Sequence, residues 1–229
     1  DVGAISEAHH YAKEVATGNL PFLLTSCCPS WSMMAKKFFP TMIDNISQEL
    51  TPMVATARKV KQDQPDAKVV FIGPCASKKL EAMRRTVRSD VDFVLTFEEL
   101  DAMFDAREID PASFEEDGSL HDATAAGRGY AVAGGVAGAI EACLKEYYPD
   151  VPVHIEHAES LAECKKVLTL AKAGKIKNCM IEGMACPGGC IGGAGTNAGF
   201  AKTSKALKKY VDTSEPKLPS QELENLELN

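Results

Sequence analysis

Three observations predict an α/β fold for this chain. Short apolar runs of strand length recur along it, and most are followed by a segment with helical spacing. Two of these runs, Leu20 to Leu24 and Ala67 to Ile72, end in a turn that carries cysteine. A third run, Ile176 to Ile181, leads into a glycine-rich loop that holds Cys186 and Cys190 four residues apart.

The 229 residues are enough for one large domain or two small lobes with an ample core. A hydrophobic content of 45% with 25% charged residues is that of a soluble globular protein. The net charge of -7 argues against nucleic acid as the main partner. No apolar stretch reaches membrane-spanning length, and no signal segment opens the chain. The eight cysteines are clustered rather than spread as a disulfide framework, so reduced thiols in a cytoplasmic setting, some of them binding metal, fit better.

In chain order, Asp1 to Thr17 reads as a helix with Val2, Ile5, Tyr11 and Val15 apolar, and no strand precedes it. The expectation is a fragment, a processed chain or one half of a split protein. The first apolar run delivers Thr25-Ser26-Cys27-Cys28-Pro29-Ser30-Trp31 to a helix from about Ser32 to Phe39. Ligands of open α/β sheets gather at such strand ends. Adjacent cysteines rarely serve one metal, so Cys27 and Cys28 are expected to face different objects. A helix from about Pro52 to Gln62 follows. The second run then ends in Gly73-Pro74-Cys75-Ala76-Ser77-Lys78-Lys79, which places Cys28 and Cys75 on one rim of a sheet. Lys78 faces the same side if a helix has begun at this point.

Asp90 to Leu95 reads as a strand, and Thr96 caps a helix over Phe97 to Phe104. The acidic stretch Asp110 to Asp122 reads as a surface loop. Gly127 to Gly138 is small and glycine-rich, so it either passes close to a cluster or packs tightly; lacking a phosphate-loop lysine, it is not a nucleotide site. It leads into a helix from Ala139 to Tyr148. Pro152 to His157 is a strand, followed by a helix through Leu161, Cys164 and Val167. In the loop that carries Cys186 and Cys190, glycine lets backbone approach a bulky object and backbone N–H groups face sulfide or an anion. A glycine-rich turn with two incidental thiols is the plainer alternative. The domain is expected to span 1–211, with a polar tail over 212–229.

Three segments, in this order, carry a resemblance: Thr25 to Trp31, Gly73 to Glu81, and Glu182-Gly183-Met184-Ala185-Cys186-Pro187-Gly188-Gly189-Cys190. Together they are similar to the signature segments of FeFe-hydrogenases (iron-only hydrogenases), and the likeness runs from Glu7 to about Gly195. The resemblance implies an α/β domain of two sheet-and-helix lobes with the active site in the cleft between them, the first lobe incomplete. It implies an H-cluster: a 4Fe–4S cube joined by one thiolate to a di-iron unit carrying carbon monoxide, cyanide and an azadithiolate bridge. Cys28, Cys75, Cys186 and Cys190 match the cube ligands, with Cys190 also bridging to the di-iron unit. Lys78 matches the lysine that contacts cyanide, and further cofactor contacts fall on Pro74, Ser77, Met184, Gly188 and Gly189. Cys27 matches the thiol that passes protons to the bridging amine, and Glu7 and Ser47 match the next relay members.

This chain departs from that pattern in several places. His10 stands where the outer relay carries a second glutamate, on the same helix face as Glu7. Gly73 replaces a methionine usual beside the di-iron unit, which is expected to open space there. Gly183 is smaller than the common residue, and Ala194 interrupts the last glycine run. Cys143, Cys164 and Cys179 are expected as core thiols. The implied activity is reversible interconversion of H2 with protons and electrons, supplied by ferredoxin or by an accessory Fe–S domain or subunit. Separate maturation proteins would build the di-iron unit. The alternatives are a hydrogen-sensing protein with the same cofactor and slow turnover, and a non-catalytic iron–sulfur binding protein.

Overall fold

A computed structural model describes residues 1–115 and 123–215. The end of the acidic stretch, 116–122, and the tail from 216 lie outside the described residues. In chain order the elements are α1 (Val2–Glu14), β1 (Phe22–Leu24), α2 (Pro29–Phe38), α3 (Pro52–Asp63), β2 (Val70–Gly73) and α4 (Ser77–Ala82). They continue with β3 (Phe93–Thr96), α5 (Phe97–Ala106), α6 (Ala125–Arg128), α7 (Gly135–Tyr147), β4 (Ile155–Glu159), α8 (Ser160–Lys172), β5 (Cys179–Met184) and α9 (Phe200–Asp212).

The strands form two separate parallel sheets, one in the order β1-β5-β4 and one of β2 and β3. In the first sheet Phe22, Leu23 and Leu24 pair with Cys179, Met180 and Ile181, and β4 flanks β5 on its other side. Every residue of β1 and β5 is buried, as a parallel strand covered on both faces requires. One face packs on α2 and α8 through Phe22, Leu24, Trp31, Leu168 and Ile181. The other packs on α1 and α7 through Ala4, Ala8, Tyr11, Leu23, Ile140, Leu144 and Met180. Cys143, Cys164 and Cys179 are fully buried in these two clusters, which matches their expected place in the core.

The second sheet is smaller. It leans on α3 through Met53, Val54 and Ala57 and leaves Val70, Ile72 and Phe93 exposed on its outer side. α5 starts at Thr96, whose hydroxyl accepts from the Glu99 N–H while Glu99 returns the bond to the Thr96 N–H, a reciprocal cap. At the other end of the chain, α9 packs on α6, and Ser214 is buried with its hydroxyl donating to the Ala123 carbonyl. Among the described residues no helix is long and apolar enough to cross a membrane.

The expectation that Cys28 and Cys75 share the rim of one sheet is corrected by this topology. β1 and β2 belong to different sheets. An apolar run marks a buried strand but carries no information about which strand it pairs with, because pairing is made across the chain rather than along it. The two lobes instead bring the carboxyl ends of their sheets toward each other, with α2 packed on α4.

Candidate functional site

The first cysteine segment leaves the end of β1 and enters α2 at Pro29, which occupies the first helical turn where a missing N–H costs nothing. Trp31 anchors it: the indole is fully buried and its Nε1 donates to the Thr25 carbonyl at 3.0 Å. The ring lies flat against Gly183 of β5, where a Cβ would come within 2.1 Å of Trp31 Cδ2. Glycine at 183 is therefore a packing requirement of the Trp31 seat.

The second segment meets the first across the cleft. Ser77 hydrogen-bonds Ser30 hydroxyl to hydroxyl, and Lys78 Nζ donates to the Cys27 carbonyl at 3.3 Å. The third segment turns between Cys186 and Cys190 through Gly188 and Gly189, whose φ values of 77° and 90° are left-handed. Gly189 N–H donates to Cys186 O at 3.0 Å, and Gly188 O accepts from Ala133 N–H at 3.1 Å. The loop beyond it lies on the second segment: Gly195 N–H donates to Pro74 O at 3.0 Å, and a Cβ on Gly193 would stand 2.5 Å from that oxygen. The Gly127–Gly138 stretch thus passes along the Cys186–Cys190 turn, and it also packs tightly, since a Cβ on Gly135 would come within 1.9 Å of Gly129 O.

Cys27, Cys28, Cys75, Cys186 and Cys190 are half-buried in this junction. Burial pushes the Cys190 thiol up to about 12, with the neighbouring Cys28 and Cys75 adding to the effect and Lys78 opposing it. Cys186 is raised for the same reasons, by burial first and then by Cys28 and Cys75. The structure therefore brings together the four thiols that the sequence placed in three distant segments. Among the described residues no three His, Cys, Asp or Glu side chains converge closely enough to hold a single metal ion. Four half-buried thiols in a glycine-lined cleft fit the donor set of an iron–sulfur cube, which takes one thiolate on each of its four irons.

Lys78 is 8% exposed, so the ordinary solvated reading of a lysine does not hold here. Its ammonium pairs with Glu81 Oε2 at 2.7 Å, and Glu81 Oε1 accepts from Thr51 at 2.6 Å. Cys27 is held far above its usual range by burial first, then by the charges of Cys28, Glu7, Glu182 and Cys190. On its far side Glu7 is buried on α1, with Oε1 accepting from Ser26 Oγ at 3.3 Å. Burial raises the Glu7 carboxyl to about 7, against the pull of the Ser47 hydroxyl and the Ser26 backbone. Ser47 is held beside this group by its N–H bond to Leu24 O, at the edge of the first sheet. Its hydroxyl lies 3.2 Å from His10 Nδ1, and the same nitrogen lies 3.9 Å from Glu49 Oε1 at the surface. Glu7, Ser47 and His10 thus form a line from the neighbourhood of Cys27 outward.

Of the remaining residues expected at the site, Met184 is buried at the end of β5 and its carbonyl accepts from the Cys164 thiol at 3.6 Å. Gly73 does not open space as expected, because the Phe71 ring fills the position a side chain would take, 2.8 Å from it. Four polar residues of the junction were not expected: Glu49, Glu81, Tyr130 and Glu182. Glu81 could have been found from its i, i+3 spacing to Lys78. Glu182 is a lone acid inside an apolar strand, which signals a buried partner; it accepts from the N–H groups of Gly134 and Ala137 and from His157. Nothing local marks Glu49 or Tyr130.

Comparison with known proteins agrees with this architecture. The profile of the family described as "Iron only hydrogenase large subunit, C-terminal domain" matches residues 1–194. The periplasmic iron hydrogenase large subunit of Nitratidesulfovibrio vulgaris is 29% identical over 217 residues, covering 75% of this chain and 50% of that protein. Iron hydrogenase 1 of Clostridium pasteurianum is 28% identical over 237 residues, covering 85% of this chain and 41% of that protein. A shorter likeness, 33% over 111 residues, joins 48% of this chain to 24% of the cytosolic Fe-S cluster assembly factor NAR1 of Kluyveromyces lactis. Among solved structures, a variant of the FeFe-hydrogenase HydA1 from Chlamydomonas reinhardtii superposes with a TM-score of 0.69 at 24% identity. That superposition covers 96% of this chain and 73% of that one, and it carries the fold. The chain spans half or less of the length of the two hydrogenase relatives. With the family profile matching residues 1–194, the chain belongs to the family of the iron-only hydrogenase large subunit, C-terminal domain.

Proposed function

We propose that this protein interconverts H2 with protons and electrons at an H-cluster held in the cleft between its lobes. The observation that carries the reading is the meeting of Cys28, Cys75, Cys186 and Cys190 beside Cys27 and the buried Lys78. In this reading Cys28, Cys75, Cys186 and Cys190 would hold the 4Fe–4S cube, and Cys190 would also be the thiolate shared with the di-iron unit. When bound, the cluster supplies the redox-active metal site at which electrons meet protons.

The protein's own residues then have distinct tasks. Lys78 would offer its ammonium to the anionic cyanide ligands, and its bonds to Glu81 and to Cys27 O fix where that charge sits. Pro74, Ser77, Met184, Gly188 and Gly189 would supply the further contacts to the cofactor that the family resemblance implies. The Cys27 thiol delivers the proton, and burial favours its neutral, proton-bearing form. Protons reach it from Glu7, which is resupplied through Ser47 Oγ from His10 Nδ1. A carboxyl raised to about 7 both accepts and releases a proton near neutral pH, which suits a relay. The electron partner is a ferredoxin-type protein or an accessory Fe–S domain or subunit, and maturation proteins build the di-iron unit in the cytoplasm.

The likeness to NAR1 supports a second reading, a non-catalytic iron–sulfur protein. Either way an iron–sulfur centre is common ground. A bare cube needs neither a buried cyanide-facing lysine nor a proton-donating thiol, so Cys27 and Lys78 favour the hydrogenase. The test is infrared spectroscopy of the matured protein together with a hydrogen-evolution assay, on wild type and Cys27→Ala. The expected result is carbonyl and cyanide bands in both proteins, turnover in wild type only, and equal iron content. Full cube iron without those bands would overturn the hydrogenase reading in favour of the second one. Bands with only slow turnover in wild type would favour a hydrogen sensor.

A further inference from the structure

Among the described residues two buried side-chain oxygens have no hydrogen-bond partner, Glu7 Oε2 and Tyr130 Oη. Buried polar atoms are nearly always satisfied, so each such oxygen calls for an explanation. The two belong to the same neighbourhood. Tyr130 Oη lies over Gly3 of α1, where a Cβ would stand 3.5 Å from it. Gly3 and Glu7 are four residues apart on α1 and so share one face of the helix. Tyr130 as a whole is half-buried while its hydroxyl oxygen is fully buried, and it packs against the core cluster that includes Ala4, Ala8, Val136 and Ile140. The groups that face Tyr130 are Cys27, Glu7 on α1, Cys143 on α7 and Glu182 on β5. Those that face Glu7 are Ser26, Ser47 and Glu49, with Cys27 and Tyr130 on the inner side. A phenol is a donor and a carboxylate oxygen an acceptor, so these two orphans are complementary.

We propose that Tyr130 is a positioning residue for Glu7: its hydroxyl donates toward Glu7 Oε2 through one bound water, fixing the carboxyl between Ser26 outside and the cleft inside. Ser26 holds Oε1 and Tyr130 holds Oε2, so the carboxyl plane is set by two independent donors. A donor on the inner oxygen stabilises the charged form and opposes the rise that burial produces. Tyr130 therefore tunes the proton affinity of Glu7 without touching substrate or cluster. This deepens the proposed reading of the cleft as a proton-handling site and rests on it for its purpose, but not for its test.

The test is the titration of Glu7 in Tyr130→Phe, which removes one oxygen and keeps the ring. The carboxyl stretch of Glu7, assigned by its loss in Glu7→Gln, is followed by infrared difference spectroscopy across pH. This is done on the full chain as isolated, before the di-iron unit is loaded. The expected result is about tenfold tighter proton binding in Tyr130→Phe, a shift of about one pH unit, with the stretch displaced. An unmoved midpoint and stretch would overturn the proposal. A second measurement covers a variant that folds poorly: urea midpoints of Tyr130→Phe, Glu7→Gln and the double variant are expected to be non-additive. Strict additivity would also overturn it. Absence of turnover in the matured protein would sink the hydrogenase reading and leave this coupling intact, so the two failures can be told apart.

Discussion

At the scale of single residues, a buried acid that keeps its proton to about pH 7 stores an energetic cost in the fold. The unfolded chain releases that proton near 4.5 and the folded chain near 7, so the folded state binds more protons between those values. Stability attributable to Glu7 is then intact below the lower value, falls as pH rises through the window, and is flat above it. The loss amounts to roughly 3 kcal/mol at most, taken from the width of the window. Glu7→Gln is neutral at every pH and removes this slope. Urea unfolding at about pH 5 and about pH 8 is expected to show a smaller drop for Glu7→Gln than for wild type, and equal drops would refute the assignment. Glu7 itself was legible only through family resemblance, since an acid on an amphipathic helix usually faces water. His10 too was legible only through the resemblance, as the residue standing where the relay carries a second glutamate; its three-residue spacing then placed it on the Glu7 face. Glu49 and Tyr130 were not legible, because each reaches the site from an element whose position is set by tertiary packing alone.

Elements were legible to the extent that their own patterns decide them. The apolar runs gave all five strands among the described residues, and Thr96 with Glu99 marked the start of α5. α2 begins earlier than expected, at Pro29, because proline suits the first turn better than Ser32 does. α9 is missing from the sequence expectation although Phe200, Leu207 and Val211 share a helical face; the lysines between them hide the spacing. Gly183 shows where pattern runs out. In sequence it stands out only as smaller than the family's common residue, whereas in the fold it is the floor under Trp31. Gly183→Ala would push a Cβ to 2.1 Å from the indole, with both groups fully enclosed. Overpacking of this kind costs about 1–3 kcal/mol. The expected outcome is a lowered urea midpoint, partly restored by Trp31→Leu in the same chain. A Gly183→Ala variant as stable as wild type would mean that the β1–α2 turn is softer than its packing implies.

For the whole molecule the decisive event is the closure of two sheets on one cleft, and no segment of the sequence encodes it alone. Lys78 is where that closure is most concentrated. It stands on α4 in the second lobe, donates to Cys27 O of the first, and pairs with Glu81, which is 2% exposed and held by Thr51 ahead of α3. Removing the ammonium leaves a buried carboxylate with a single hydroxyl donor and cuts one tie between the lobes. Breaking a buried pair from one side costs about 3–5 kcal/mol, whereas replacing both partners by apolar groups is close to neutral. Lys78→Met is therefore expected to lower the urea midpoint strongly, and Lys78→Met with Glu81→Leu is expected to recover most of the loss. The recovered double variant should still bind cube iron, since all four thiols remain, while losing the cyanide-facing charge that the proposed function requires. If the double variant is as unstable as the single one, the penalty does not come from an orphaned Glu81. The tie to Cys27 O would then be what holds the lobes in register.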